Sequence, residues 1–220
     1  MLFFKILTLF LPWCIRRRFL NVLLGYKIHR DSRIGLSWIF PERLIMEAHT
    51  RIGHANVCKG LALLHMKEYA EIGRGNWITG LPQASREHFT HQRDRRPHLT
   101  MGRHSCITNR HLIDCSNEVT IGEFATFGGF WSQILTHSID VQNCRESCAP
   151  VYVGRYSFVG TDCVLLGGSS LPDSSILGAK SLLNKSYSES FWLYAGTPAR
   201  PVKQLAPDLP YFTRHKGAVK

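Results

Sequence analysis

Residues 151–183 read VYVGRYSFVGTDCVLLGGSSLPDSSILGAKSLL. In steps of six from Val153 stand Val153, Val159, Leu165, Leu171, Leu177 and Leu183, all aliphatic. Four residues after each of the first five comes a small side chain: Ser157, Cys163, Ser169, Ser175 and Ser181. Glycine follows the aliphatic residue at Gly154, Gly160 and Gly178. A helix repeats every 3.6 residues and a plain strand every two, so neither sustains a period of six. A flat-sided solenoid does. Each hexapeptide supplies one short strand and one tight corner, and three of them close a triangular coil. Successive coils lie one strand spacing apart, roughly 4.8 Å. The aliphatics stack inward and bury a continuous core that no single repeat could bury alone.

The same step runs through the earlier chain with interruptions. It passes through Ile34, Phe40, Met46, Ile52, Cys58 and Leu64, then restarts eight residues on at Ile72 and Ile78. It continues at Met101, Ile107 and Ile113 and slips by two to Ile121 and Phe127. A two-residue bulge at one corner accounts for the slip, and Ile34-Gly35, Ile52-Gly53 and Ile72-Gly73 mark the starts of coils. Two stretches leave the period altogether. Residues 81–98, LPQASREHFTHQRDRRPH, are polar, basic and bounded by prolines, and read as a loop extruded from the solenoid. Their composition fits a solvated lid or an anion-binding arm better than a metal site built from His88, His91 and His98. The second extrusion, from about Thr136 to Pro150, carries His137. The predicted organisation is an N-terminal helix over 1–30, a solenoid over 31–203 and a basic C-terminal tail over 204–220. In that tail Tyr211 and Phe212 anchor a short helix.

The repeats, Thr136-His137 on a loop and the closing Gly196-Thr197-Pro198-Ala199-Arg200-Pro201-Val202-Lys203 together carry a resemblance. Over about residues 30–203 the chain resembles the left-handed β-helix, hexapeptide-repeat acyltransferases, especially the O-acetyltransferases of sugars and cell-surface glycans. The period alone does not give the hand of the coil, because parallel crossovers are usually right-handed; left-handedness is what the resemblance implies. It also implies acetyl-CoA as co-substrate, a sugar or glycan hydroxyl as acceptor, a homotrimer with active sites between protomers, and no metal. His54, after Ile52-Gly53, resembles a ligand of the gamma-class carbonic anhydrases. Lys59 stands where that class has its next histidine, so His54 reads as a surface residue.

Thioester-to-hydroxyl transfer needs a base, a donor for the oxyanion and a site for the coenzyme phosphates. His137 matches the family's catalytic position, and histidine, with an ordinary pKa near 6.5, suits a general base. No Gly-x-Ser-x-Gly elbow is present, so direct attack in a ternary complex is expected. Asp140, close in sequence, and Asp114, about one coil away, are the candidates to orient His137. The resemblance places an oxyanion-binding N–H near Gly160-Thr161. It assigns Asn109 to acceptor hydroxyls, with Thr108 and Ser116 as the alternative register. Trp131 or Trp77 would stack on a sugar face or serve the core or an interface. Along the donor groove it implies Gly160, Thr161, Ala179, Asn184 and Lys185. Arg200 and Lys203 would meet the coenzyme phosphates. Lys180 departs from the small residue usual after that alanine.

Hydrophobic residues at 44% and charged residues at 20% argue for a folded chain. A net charge of +11 calls for an acidic partner. No helix-turn-helix, RNP or zinc-finger pattern occurs, which ranks nucleic acid below a polyphosphate cofactor, an acidic carrier protein or anionic lipid. Seven scattered cysteines without a CxxC pair read as free thiols in a reducing cytoplasm. Residues 2–24 are the most apolar stretch, but Pro12 and the basic cluster Arg16–Arg18 interrupt it short of a bilayer span. An interfacial helix is expected, with Trp13 and the phenylalanines among lipid headgroups and Lys5 and Arg16–Arg18 on phosphates. The same helix also suits a cap over the open first coil. The expected location is cytoplasmic, peripheral on the inner membrane face. Two alternatives stand beside this reading: the same fold with an acyl carrier protein, another acyl-CoA or an amine acceptor, and a non-catalytic membrane-associated scaffold.

Overall fold

In the computed structural model, which describes residues 2–85, 87–217 and 219 with side chains from Lys5 onward, the hexapeptides become strands of two to four residues. They wind into a parallel β-helix with three flat faces. The first face stacks Ile28, Met46, Met66, Met101, Ile121, Val153 and Leu171. The second stacks Ile34, Ile52, Ile72, Ile107, Phe127, Val159 and Leu177, with Tyr194 on top. The third stacks Ile39, Cys58, Ile78, Ile113, Ile134, Leu165 and Leu183. All of these side chains are buried, and each contributes about 1.5–3 kcal/mol of apolar burial at the larger residues.

The register differs from the expected one at two residues. Ile39, not Phe40, aligns with Cys58, and Met66, not Leu64, continues the row of Met46. Strands of the first face are long enough to point two alternate residues inward, as in Leu44/Met46, Leu64/Met66 and Leu99/Met101. Both members of each pair are apolar and buried, so the period alone cannot choose between them. With the register corrected, every excess of two or more residues falls at one corner, between the third and first faces. It lies between Cys58 and Met66, Ile78 and Met101, Ile113 and Ile121, and Ile134 and Val153. Both extruded segments leave from this seam. The second is an antiparallel hairpin, His137–Asp140 against Arg145–Cys148, rather than an unpaired loop.

The other two corners carry ladders. Between the first and second faces, His49, Tyr69, His104, Phe124 and Tyr156 all adopt φ of 54–60°. Their rings stack 4.7–4.9 Å apart, matching the coil spacing. Between the second and third faces, Asn56, Asn76 and His111 fill the position held by serine or cysteine in later coils. Asn76 donates to the Thr108 carbonyl (2.9 Å) and accepts from the His111 N–H (2.9 Å). Burial pushes the His111 pKa down to about 4.

Pro12 divides the N-terminal segment into two helices, α1 (Leu2–Leu9) and α2 (Trp13–Leu23), in place of one. Helix α2 covers the first coil. Leu20 joins the core, the Trp13 indole donates to the Ser32 carbonyl (3.0 Å), and the Asn21 side chain donates to the Ile28 carbonyl (3.2 Å) and accepts from the Ile28 N–H (3.1 Å). Arg16 is 3% exposed and donates to the carbonyls of Gly35 and Ser37, both at 2.9 Å. Trp13 and Arg16 therefore face the solenoid and not a headgroup layer, which corrects their expected role. The side chains of Phe3 and Phe4 lie outside the described residues. Among the described residues no helix is long and apolar enough to cross a membrane.

At the other end, Trp192–Gly196 and Ala199–Gln204 form a hairpin that extends the second face. Helix α3 (Pro210–Thr213) then buries Phe212. The segment after it is no loose tail. It turns back along the aromatic ladder, where Arg214 donates to the Tyr211 and Phe124 carbonyls and lies over the rings of Tyr211 and Tyr156. All seven cysteines are free thiols.

Candidate active site

The site is at the seam. Asp114 ends a strand of the third face, directly beneath Leu135, and His137 follows two residues after Leu135 as the chain turns out into the hairpin. His137 Nδ1 lies 2.8 Å from Asp114 Oδ2. That oxygen also accepts from the Thr136 N–H (2.9 Å), the Thr136 hydroxyl (2.6 Å) and the His137 N–H (3.1 Å). The other carboxylate oxygen accepts from the Ser116 N–H (3.1 Å) and hydroxyl (2.7 Å). Burial opposes ionisation of Asp114, but the hydrogen bonds from Thr136, Ser116 and His137 outweigh it and hold the pKa below the ordinary value. A fixed carboxylate on Nδ1 assigns the ring proton to that nitrogen and leaves the Nε2 lone pair outward. The His137 side chain is 44% exposed, open to a substrate.

The first extruded segment packs over this pair. Phe89, buried in an otherwise polar loop, sets its ring edge-on to His137 with centroids 6.3 Å apart. His88 pairs with Glu146 (2.9 Å), and Gln92 exchanges hydrogen bonds with the Cys148 backbone (2.9 and 3.2 Å). The segment thus docks on the hairpin of its own chain. Arg95, expected in an anion-binding arm, is buried beneath the loop and donates to the carbonyls of Leu81, Ser116 and Pro82. Arg96 pairs with Glu118 (2.6 Å).

Of the two acids expected beside His137, the structure brings Asp114. Asp140 sits at the far end of the hairpin strand, where Asn143 (2.7 Å) and Arg145 (3.3 Å) occupy its carboxylate. Asn109 is one corner away from the site and caps a turn by accepting from the Arg74 N–H (2.9 Å), so within one chain it does not reach His137. Ser116, the alternative register, belongs to the Asp114 cage. Trp131 is exposed on the corner between the second and third faces, near the Arg110 guanidinium at 5.9 Å.

The expected donor residues divide between two edges. Gly160, Thr161 and Ala179 lie on the corner between the second and third faces, while Asn184 and Lys185 lie on the seam, beyond His137. Arg200 and Lys203 are exposed on the terminal hairpin. The Gly160 N–H is spent on the Leu177 carbonyl (2.8 Å), so of the Gly160-Thr161 pair it is Thr161 that has an amide to offer. Lys180 turns outward to Asp162 (2.8 Å), so the bulk of its side chain does not disturb the packing beside Ala179. Sequence reasoning missed Thr136 as a cage member and Phe89. The lone aromatic in residues 81–98 was the available signal for the latter.

No protein-family model matches the chain, and no curated protein sequence matches it. Solved structures do. The polysialic acid O-acetyltransferase OatWY superposes with a TM-score of 0.58 at 16% identity, over 81% of this chain and 84% of that one. The hexapeptide-repeat acetyltransferase VCA0836 from Vibrio cholerae O1 biovar eltor, solved with acetyl-CoA, gives 0.51 at 20% identity over 65% and 71%. In another structure of VCA0836 the match spans 63% of that protein, under two thirds of its length. An N-acyltransferase from Bacillus cereus, AntD, solved as a mutant with a dideoxy amino sugar nucleotide and coenzyme A, gives 0.51 at 11% identity over 82% and 84%. These likenesses establish the architecture and its hand: this chain has the left-handed parallel β-helix fold of the hexapeptide-repeat acyltransferases.

Proposed function

We propose that this protein transfers an acetyl group from acetyl-CoA to a hydroxyl of a sugar or glycan intermediate. The observation that carries the reading is the His137–Asp114 pair, a solvent-facing imidazole aligned by a buried carboxylate with six hydrogen-bond contacts. In the proposed reaction Nε2 takes the proton of the acceptor hydroxyl as its oxygen attacks the thioester carbonyl. The oxyanion of the tetrahedral intermediate accepts from the Thr161 N–H. Collapse breaks the carbon–sulfur bond, and the imidazolium returns the proton to the coenzyme thiolate. A base of this kind supplies about 10²–10⁴-fold, and an amide at the oxyanion about 10²–10³-fold.

The division of the donor residues between two edges supports a site shared by protomers. A cyclic, head-to-tail interface sets the seam of one copy against the neighbouring corner of the next. In a homotrimer of that kind, His137 and Lys185 of one protomer face Gly160, Thr161 and Ala179 of another. Exposed Trp77, Leu112 and Trp131 on and beside the third face suit such contact. The acetyl-CoA-bound neighbour supports the choice of donor.

The test is thermal unfolding with acetyl-CoA titrated to saturation, alongside acetyl transfer to a panel of sugars. Ligand at about 100 times its Kd stabilises a fold by ~2.7 kcal/mol, or several degrees for a chain of this size. His137→Ala should keep the thermal shift and lose transfer. Absence of a saturable shift with acetyl-CoA would sink the assignment of the donor.

A further inference from the structure

Helix α2 is apolar on two sides, and the solenoid covers one of them. Trp13, Leu20 and Leu24, at the spacing of one helical stripe, face the first coil. Ile15, Phe19, Val22 and Leu23 form a second stripe that faces outward with Arg18 among them, lining an open apolar groove. Helix α1 extends the surface with Ile6 and Leu7, and Phe10 in the turn after it adds a ring. Phe10 is 76% and Val22 73% exposed. An amphipathic cap needs one apolar stripe, so the second is left for another occupant.

We infer that the outward face of α1 and α2 docks on an anionic lipid bilayer, with both helices lying in the plane of the interface. Charge selects this occupant. Residues 1–30 hold Lys5, Arg16, Arg17, Arg18, Lys27 and Arg30 and no Asp or Glu. Arg16 is consumed in the cap, Arg17 donates to the Ile28 carbonyl and Lys5 lies over the Phe40 ring, while Arg18 is exposed beside the apolar stripe. A second copy of the same face would bring cations against cations. Lipid phosphates complement them, and the acyl boundary accepts the aliphatic and aromatic side chains. Helices of 8 and 11 residues are too short to span and long enough to lie flat. This inference is independent of the acyltransferase reading.

The experiment is flotation of the full-length protein with vesicles of phosphatidylcholine alone or mixed with phosphatidylglycerol. Binding is expected with the mixed vesicles and should weaken as salt rises. Arg18→Ser should lower it about fivefold, and Phe10→Ser with Val22→Ser at least tenfold. Circular dichroism and Tm should stay unchanged, because these side chains lie outside the packed core. Failure to float with the mixed vesicles, or variants that float as the wild type does, would overturn the inference. A lipid-free oligomer that the double variant dissociates would do so too, by giving the face to a second copy.

Discussion

Replacing Asp114 by Asn changes no volume and removes one charge, so it isolates what the carboxylate does. Its two oxygens meet six donor contacts, from Ser116, Thr136 and His137, within 2.6–3.1 Å. An amide offers one accepting oxygen. Whichever way it is placed, its NH2 faces a backbone N–H, of Ser116 or of Thr136 and His137. One buried donor left without an acceptor costs about 1–3 kcal/mol. The contacts that survive fall from charge-assisted to neutral strength, roughly half as strong each. Together these amount to about 3 kcal/mol, or a Tm lower by roughly 10 °C. The acid range supplies the control. Because the folded pKa of Asp114 is depressed, its contribution is complete above the unfolded value of about 3.9 and is lost as pH falls through the folded value. The gap between wild type and Asp114→Asn should therefore be full at pH 7 and narrow below about pH 4. Differential scanning calorimetry across that range measures it. The 15N shifts of His137 report the placement of the amide: the ring proton moves to Nε2 where the NH2 faces Nδ1 and stays on Nδ1 where the oxygen does. A Tm difference under about 1 °C at pH 7, or one that persists in acid, would refute the account of the cage.

His111 gives a second pH signature. Its folded pKa of about 4 lies below the unfolded 6.5, so stability should fall by about 3 kcal/mol as pH drops from 6.5 to 4. His111→Gln should flatten that slope in urea titrations at a series of pH values, and an unchanged slope would assign it elsewhere. Arg16→Met should loosen the N-terminal cap by about 2 kcal/mol, since the Gly35 and Ser37 carbonyls lose charged donors. The reading is early proteolysis within residues 5–24 while the later coils stay protected, because each coil contacts only its neighbours. Uniform loss of protection along the chain would count against that local role.

The repeat was legible from Val153 onward because nothing there interrupts it, and the inward row from Val153 to Leu183 needed no correction. Earlier coils were harder for a physical reason. Where a face carries four-residue strands, Leu64 and Met66 are both apolar and both inward, so hydrophobicity identifies the strand without fixing its register. His137 stood out by its place at the root of an interruption. Its partner did not, because Asp140 is near in sequence while Asp114 is near in space, and only the coil register ranks the two. The arginines divided in the same way. Arg16 and Arg95 look like surface cations in the sequence but satisfy buried carbonyls where the chain leaves regular structure. The aromatic ladder had no expected counterpart, since five rings spaced unevenly in sequence come into line only once the loops are looped out.

Gathering every long insertion at one corner separates what the scaffold must keep from what it can exchange. A segment inserted at the seam begins and ends on strands already held by neighbouring coils, so its ends are close whatever its length. Doubling such a segment costs only about 0.6 kcal/mol of closure entropy. The two present insertions leave from coils two spacings apart, about 10 Å, and meet over His137 through Phe89 and Glu146. Under the proposed activity, new acceptor preferences would arise by trading these segments as cassettes, with the stack beneath them and the imidazole it aims left in place.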